Sequence, residues 1–178
     1  MMKNPINNLS DQELELYNHA SLLDGTMEGR TQQLVESAVF HVYRGVHRSY
    51  LDLFLNSDDN ETKLEVLKRL IFLNWYSMVE PSCYTGIGDL DRSTVFDSYS
   101  ILNEYLAEDK IDTELKWMLS YYASWDYTIL EFSENKLEAL TKFVKAVDCS
   151  VSHAPKNQLL NGTMVNRGQM GVYWMSRN

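Results

Sequence analysis

The chain has 178 residues, 25 Asp+Glu against 16 Lys+Arg, a formal net charge of −9 and 44% apolar residues. That length and apolar content suit one globular domain with a sizeable core, and they exclude a chain that is disordered throughout. The acidic balance disfavours a surface that tracks nucleic-acid phosphates. Two cysteines, Cys83 and Cys149, do not make a disulfide framework. No run of ~20 apolar residues offers a membrane span, and Met1 to Asn8 contain no apolar leader, so a cytoplasmic location without membrane contact is expected.

Charge divides the chain near residue 149. All 25 acids precede it, whereas the last 30 residues carry only the cations Lys156, Arg167 and Arg177. The expected organisation is therefore a helical bundle domain over 1–148 and a C-terminal extension, or arm, over 149–178.

Ser10-Asp11-Gln12-Glu13 has the pattern of a capping box and predicts a helix from there to about Leu23, stopped by Asp24-Gly25. The next helix is expected from Thr31 to Leu55. It carries two apolar stripes, Val35/Val39/Val42/Val46/Leu53 and Phe40/Tyr43/His47/Leu51/Phe54, so it reads as central and packed on more than one side. Asp59 or Asn60 caps a helix over 61–79, whose second half is almost wholly apolar and ends at Pro81. A long loop follows over 80–91. Further helices are expected over 93–107, 113–132 and 134–147 from their 3–4 apolar spacing. Together these predict an all-α fold, a single bundle of about six helices. The extension is expected to be non-helical. In it Asn161-Gly162 between Leu159-Leu160 and Thr163-Met164-Val165 reads as a short β-hairpin, and 166–169 as a second turn.

The chemistry-bearing residues form two groups. The first is a candidate ligand or partner pocket at the Glu80–Arg92 loop: Glu80, Cys83, Tyr84, Asp89 and Arg92, joined by Trp75 and Tyr76 from the preceding helix and by the basic face of Arg44 and Arg48. An anion-binding patch is the functional reading of those arginines; ion pairs that tie a central helix to acidic neighbours are the structural one. Asp89-Leu90-Asp91 starts like a calcium loop, but Thr94 stands where the turn needs glycine and Ser100 where it needs glutamate. His41 and His47 are six apart and cannot chelate one ion from a straight helix. The second group is the arm: Asn161, Gly162, Arg167, Tyr173, Trp174 and Arg177, with the two aromatics as anchors for a neighbour.

No catalytic, cofactor or metal motif is present in the sequence, so no such residues are expected. The function expected is that of a non-enzymatic interaction protein, an adaptor or structural subunit whose arm contacts a protein partner or a second copy. One alternative is an acidic immunity-type inhibitor of a basic protein. The other is a small-molecule-binding protein or enzyme with its site at the Glu80–Arg92 loop.

Overall fold

The computed structural model describes residues 4–150 and 163–177. Its described residues form ten α-helices: α1 (Pro5–Ser21), α2 (Met27–Glu36), α3 (Val39–Asn56), α4 (Asn60–Val79), α5 (Ser82–Thr85), α6 (Arg92–Ala107), α7 (Thr113–Tyr122), α8 (Tyr127–Ser133), α9 (Glu138–Ala146) and α10 (Gly168–Met175). The all-α expectation holds, and no helix among the described residues is long and apolar enough to cross a membrane.

Helix α4 is the axis. Every residue from Val66 to Trp75 is buried, including the cations Lys68 and Arg69, because neighbouring helices cover its whole circumference. Helix α3 lies against it and presents Tyr43, Val46, Tyr50 and Leu51 to the core. Its outward side carries Val42, 47% exposed, and the arginines discussed below. The caps at Asp59 and Asp112 accept from Thr62 N (2.8 Å) and Leu115 N (2.7 Å), satisfying backbone donors that helix starts leave free.

The element boundaries depart from the sequence reading at α5, which forms inside the expected 80–91 loop, at α9, which starts at Glu138 rather than 134, and in four further places. Helix α1 begins at Asn4-Pro5, where Asn4 Oδ1 accepts from Ile6 N and the proline occupies the first turn. Ser10 and Glu13 are therefore no capping box: both lie inside the helix and face the core. The helix expected over 31–55 is two helices, since Ala38 adopts φ 57° between α2 and α3. That break takes Val35 off the common stripe, leaving it 56% exposed. A 3₁₀ turn at Ala123–Trp125 separates α7 from α8 within the expected 113–132 helix. Finally, residues 168–175 form helix α10 where a non-helical extension is expected. The Asn161–Gly162 hairpin lies outside the described residues.

Candidate functional site

The Glu80–Arg92 loop does not close into one pocket. Pro81 ends α4 and α5 reverses the chain, with Gly86 at φ 74° and its missing Cβ 3.3 Å from Leu16 O. That turn divides the predicted residues. Cys83 is buried in a small second core with Ala20, Leu34 and Val39. Tyr84, next in sequence, is exposed and receives the Arg30 guanidinium over its ring at 4.5 Å. Glu80 is the C-cap of α4. Burial, and then the Glu80 charge, push the Tyr76 hydroxyl up to about 12. Trp75 and Tyr76 belong to an aromatic core in which Trp75 stacks on Tyr122 at 4.6 Å and meets Tyr173 edge-on at 5.4 Å. Thr85, Gly86, Ile87 and Gly88 are buried, so the loop sits on packed protein.

The remaining four residues come together. Arg44, Arg48, Asp89 and Arg92 line an open groove of about 700 Å³ between α3 and the start of α6, with His41, Gly45, Leu90 and Asp91. The local sequence explains the arrangement. His41, Arg44, Gly45 and Arg48 fall on one side of α3 at 3–4 spacing. Gly88 lies so close to Phe40 that a Cβ would stand 2.6 Å from its ring, which pins the loop. Asp89 then takes the left-handed conformation, φ 56°, at the rim. A non-glycine residue held there stores of order 1 kcal/mol of strain. Gly45 is the reverse case: a Cβ there would meet nothing within 4 Å, so packing does not demand glycine. It costs the helix roughly 0.5–1 kcal/mol relative to alanine and leaves the groove floor bare.

Each groove arginine has one acidic partner: Arg44 Nη1 to Asp89 Oδ2 at 3.4 Å, Arg48 Nε to Asp52 Oδ1 at 3.2 Å, and Arg92 Nη2 to Glu131 Oε1 at 2.8 Å. The arginine side chains are 40%, 51% and 72% exposed, so each pair adds only ~0–1 kcal/mol.

Below the groove His47 is fully buried. Its Nε2 lies 2.9 Å from Asn74 Oδ1, and Asn74 Nδ2 donates to Ser98 Oγ at 2.7 Å. Because the Asn74 amide donates to Ser98, its oxygen must accept, and His47 carries its proton on Nε2. Nδ1 is then a buried acceptor without a protein partner. Burial lowers the imidazole pKa to about 4, against the opposing effects of Asn74 and the Asp91 charge.

Three of the arm residues, Arg167, Tyr173 and Trp174, occupy the interior, and Arg177 is exposed. Arg167 donates to Glu65 through Nε (2.8 Å) and Nη2, and to Glu114 Oε1 (2.7 Å). Lys68 pairs with Glu114 at 3.0 Å and with Asp112 at 2.5 Å. Tyr173 and Trp174 are buried, Tyr173 sharing a 2.8 Å hydrogen bond with the Tyr121 hydroxyl and Trp174 meeting Trp117 edge-on at 4.8 Å. Arg177 lies over the Tyr173 ring at 4.8 Å. Asn161 and Gly162 lie outside the described residues.

Residues that the sequence reading did not assign to a site, among them Glu13 of the expected capping box, hold α10 in place. Glu13 accepts from Gln169 N at 3.0 Å and from the Tyr50 hydroxyl, and Arg69 donates to that hydroxyl at 3.1 Å. Burial raises the Glu13 carboxyl above its ordinary range, although these bonds and Arg69 pull it down. Gln169 accepts from Tyr43 and donates to Thr85 O at 3.0 Å, tying the tail to the loop after α4. Gly168, at φ 58°, leaves the space that Glu13 fills, since a Cβ would lie 2.6 Å from Oε1. The sequence signal was available: an acid at position 13 on the apolar side of a helix is out of pattern unless paired.

Among the described residues no three His, Cys, Asp or Glu side chains are placed to hold a metal ion. Comparison with protein families, with curated proteins and with solved structures finds no match to this chain.

Proposed function

We propose that this protein is a non-enzymatic helical binding protein whose negative exterior recognises a basic protein partner. The carrying observation is the partition of charge. One of the 25 acids is buried, Glu13, whereas among the described residues the cations Lys68, Arg69 and Arg167 are buried. The buried cations are paired with the partly exposed Glu65, Asp112 and Glu114, and the rest of the exterior keeps the acidic excess of the chain. Such a surface steers a basic partner and speeds encounter, an effect that salt weakens.

The face that fits this reading best is the corner of α7 and α8. Trp125 and Tyr127 are 36% and 52% exposed there, beside a groove of about 540 Å³ lined by Asp126, Tyr127, Glu131 and Glu134 among others. Exposed aromatics ringed by carboxylates suit lysine and arginine side chains, through both charge and ring faces. Tyr173 and Trp174, by contrast, are buried against the chain's own helices, so the proposal does not use them as anchors for a neighbour.

The test is capture of binding proteins on the intact chain and on Asp126→Lys/Glu134→Lys, at salt rising from ~0.1 to ~0.5 M, where screening shortens the reach of surface charge. A basic partner that is kept by the wild type, lost with salt and lost in the charge-reversed protein is expected. Partners held equally by both proteins, or unaffected by salt, overturn the reading.

A further inference from the structure

The groove between α3 and α6 runs against the character of the surrounding surface. Its cations come from two elements, Arg44 and Arg48 one turn apart on α3 and Arg92 in the first turn of α6. Two carboxylates also line it, one fixed on its own helix and one loosely held. Asp91 is turned onto its own helix start, where it accepts from Ser93 N and Oγ, each at 3.0 Å. Asp89 is 82% exposed and meets Arg44 at 3.4 Å, longer than the ~2.7–2.9 Å of a strong charge-assisted bond. Neither Arg44 nor Arg48 is committed to a bidentate partner.

A second, smaller cavity adjoins the groove. It has about 150 Å³, shares Leu90 and Arg92 with the groove, and is lined further by Met78, Val95 and Phe132 and by the polar Asn74 and Ser77. Its volume is about that of a benzene-sized body, and its walls are mixed, Leu90 adding to the apolar side and Arg92 to the polar one. The floor of the outer groove is kept clear by Gly45, a helix glycine for which packing gives no reason. Charge outside, a small, partly apolar chamber inside and a bare floor between them describe a ligand with an anionic head and a compact apolar body.

We propose that this groove binds a phosphate monoester, with the phosphate on Arg44 and Arg48, Arg92 at the opposite rim, and the ester's apolar group in the chamber behind Leu90. Planar guanidiniums one turn apart present several N–H donors to three phosphate oxygens, and a dianion gains more from them than a carboxylate does. The site adjoins the face that recognises a basic partner, to which the Arg92–Glu131 ion pair links it, but it uses charge of the other sign, carried by Arg44 and Arg48.

Amide shifts of the full chain are followed at low ionic strength while inorganic phosphate, phenyl phosphate or benzoate is added. Phenyl phosphate is expected to bind saturably and several-fold more tightly than inorganic phosphate, moving residues 41–48 and 89–95. Benzoate is expected to bind least. Arg44→Ala/Arg48→Ala, both at exposed positions, should weaken phenyl phosphate roughly tenfold or more, the worth of one or two charge-assisted hydrogen bonds. Leu90→Trp, which narrows the entrance to the chamber, should erase the advantage of phenyl phosphate over phosphate. Absence of saturable shifts in the groove, or undiminished binding by the double variant, overturns the site. Equal binding of phosphate and phenyl phosphate, or benzoate binding as well as either, overturns the monoester assignment.

Discussion

Arginines gather at two places in this protein, and their surroundings give them opposite roles. Arg69 and Arg167 are buried with several acceptors each: Arg69 reaches Glu65, Ser10 and Tyr50, and Arg167 reaches Glu65 and Glu114. Arg44, Arg48 and Arg92 stand in solvent with one carboxylate each. Removing a buried partner strands its acceptors without water, whereas removing an exposed one changes little. The interior set therefore fastens α10 to the body, and the groove set remains available to a ligand.

This contrast is open to test by urea denaturation, beginning with the interior. Trp174→Ala should cost about 3–5 kcal/mol, since it empties a fully buried indole site in the aromatic core. Arg167→Ala should cost about 1.5–3 kcal/mol by removing its charge-assisted hydrogen bonds to Glu65 and Glu114 at a largely buried position, although Arg69 still pairs with Glu65 and Lys68 with Glu114. Unfolding changes below ~1 kcal/mol for either variant would show that α10 is only loosely held.

His47 supplies a pH signature of the interior beneath the groove. Its folded pKa of about 4 lies below the ordinary 6.5, so the unfolded chain binds the proton more readily. The associated stability is complete above pH 6.5 and drains away as pH falls toward 4. It amounts to about 3 kcal/mol in all, at ~1.4 kcal/mol per unit. His47→Gln should be less stable at neutral pH but should flatten the slope between pH 6.5 and 5; an unchanged slope would place the acid sensitivity elsewhere. Glu13 acts in the other direction. With its pKa raised, its contribution is full below the ordinary carboxyl range and is lost as pH rises through the folded value, so Glu13→Gln should lose less stability at pH 8 than at pH 4.

The smallest effects belong to the groove. Arg44→Ala should change stability by under ~1 kcal/mol, because its ion pair is exposed. Gly45→Ala should raise stability by ~0.5–1 kcal/mol, as nothing obstructs the added methyl. A gain at Gly45 with no loss at Arg44 would sharpen the view that this face is not arranged for stability.

Much of the secondary structure was legible. The Pro81 stop and the caps at Asp59 and Asp112 follow from local chemistry, and the apolar spacing of 60–79 and 93–107 points to helices wherever those segments sit. The Asn4-Pro5 start was equally available, but Ser10 and Glu13 imitated a cap while serving the core. Of the nine pocket residues, four share the groove, and five are carried into other environments by the reversal at α5. Adjacent residues such as Cys83 and Tyr84 point to opposite sides of that turn, which nearness in sequence does not reveal.

The sequence by itself determined the helical class, the bounds of α4 and α6 and the excess of negative charge, because backbone capping, 3.6-residue periodicity and composition act locally or by simple count. Only the tertiary structure decided the fate of the tail. Its lack of acids and its Asn-Gly pair read as a separate arm. Yet Arg167 finds Glu65 and Glu114, and Gln169 finds Glu13, Tyr43 and Thr85, all partners from 53 to 156 residues away in sequence. Burying Trp174 and pairing those polar groups stabilises a helix too short to persist alone, an outcome that eight residues of sequence cannot announce.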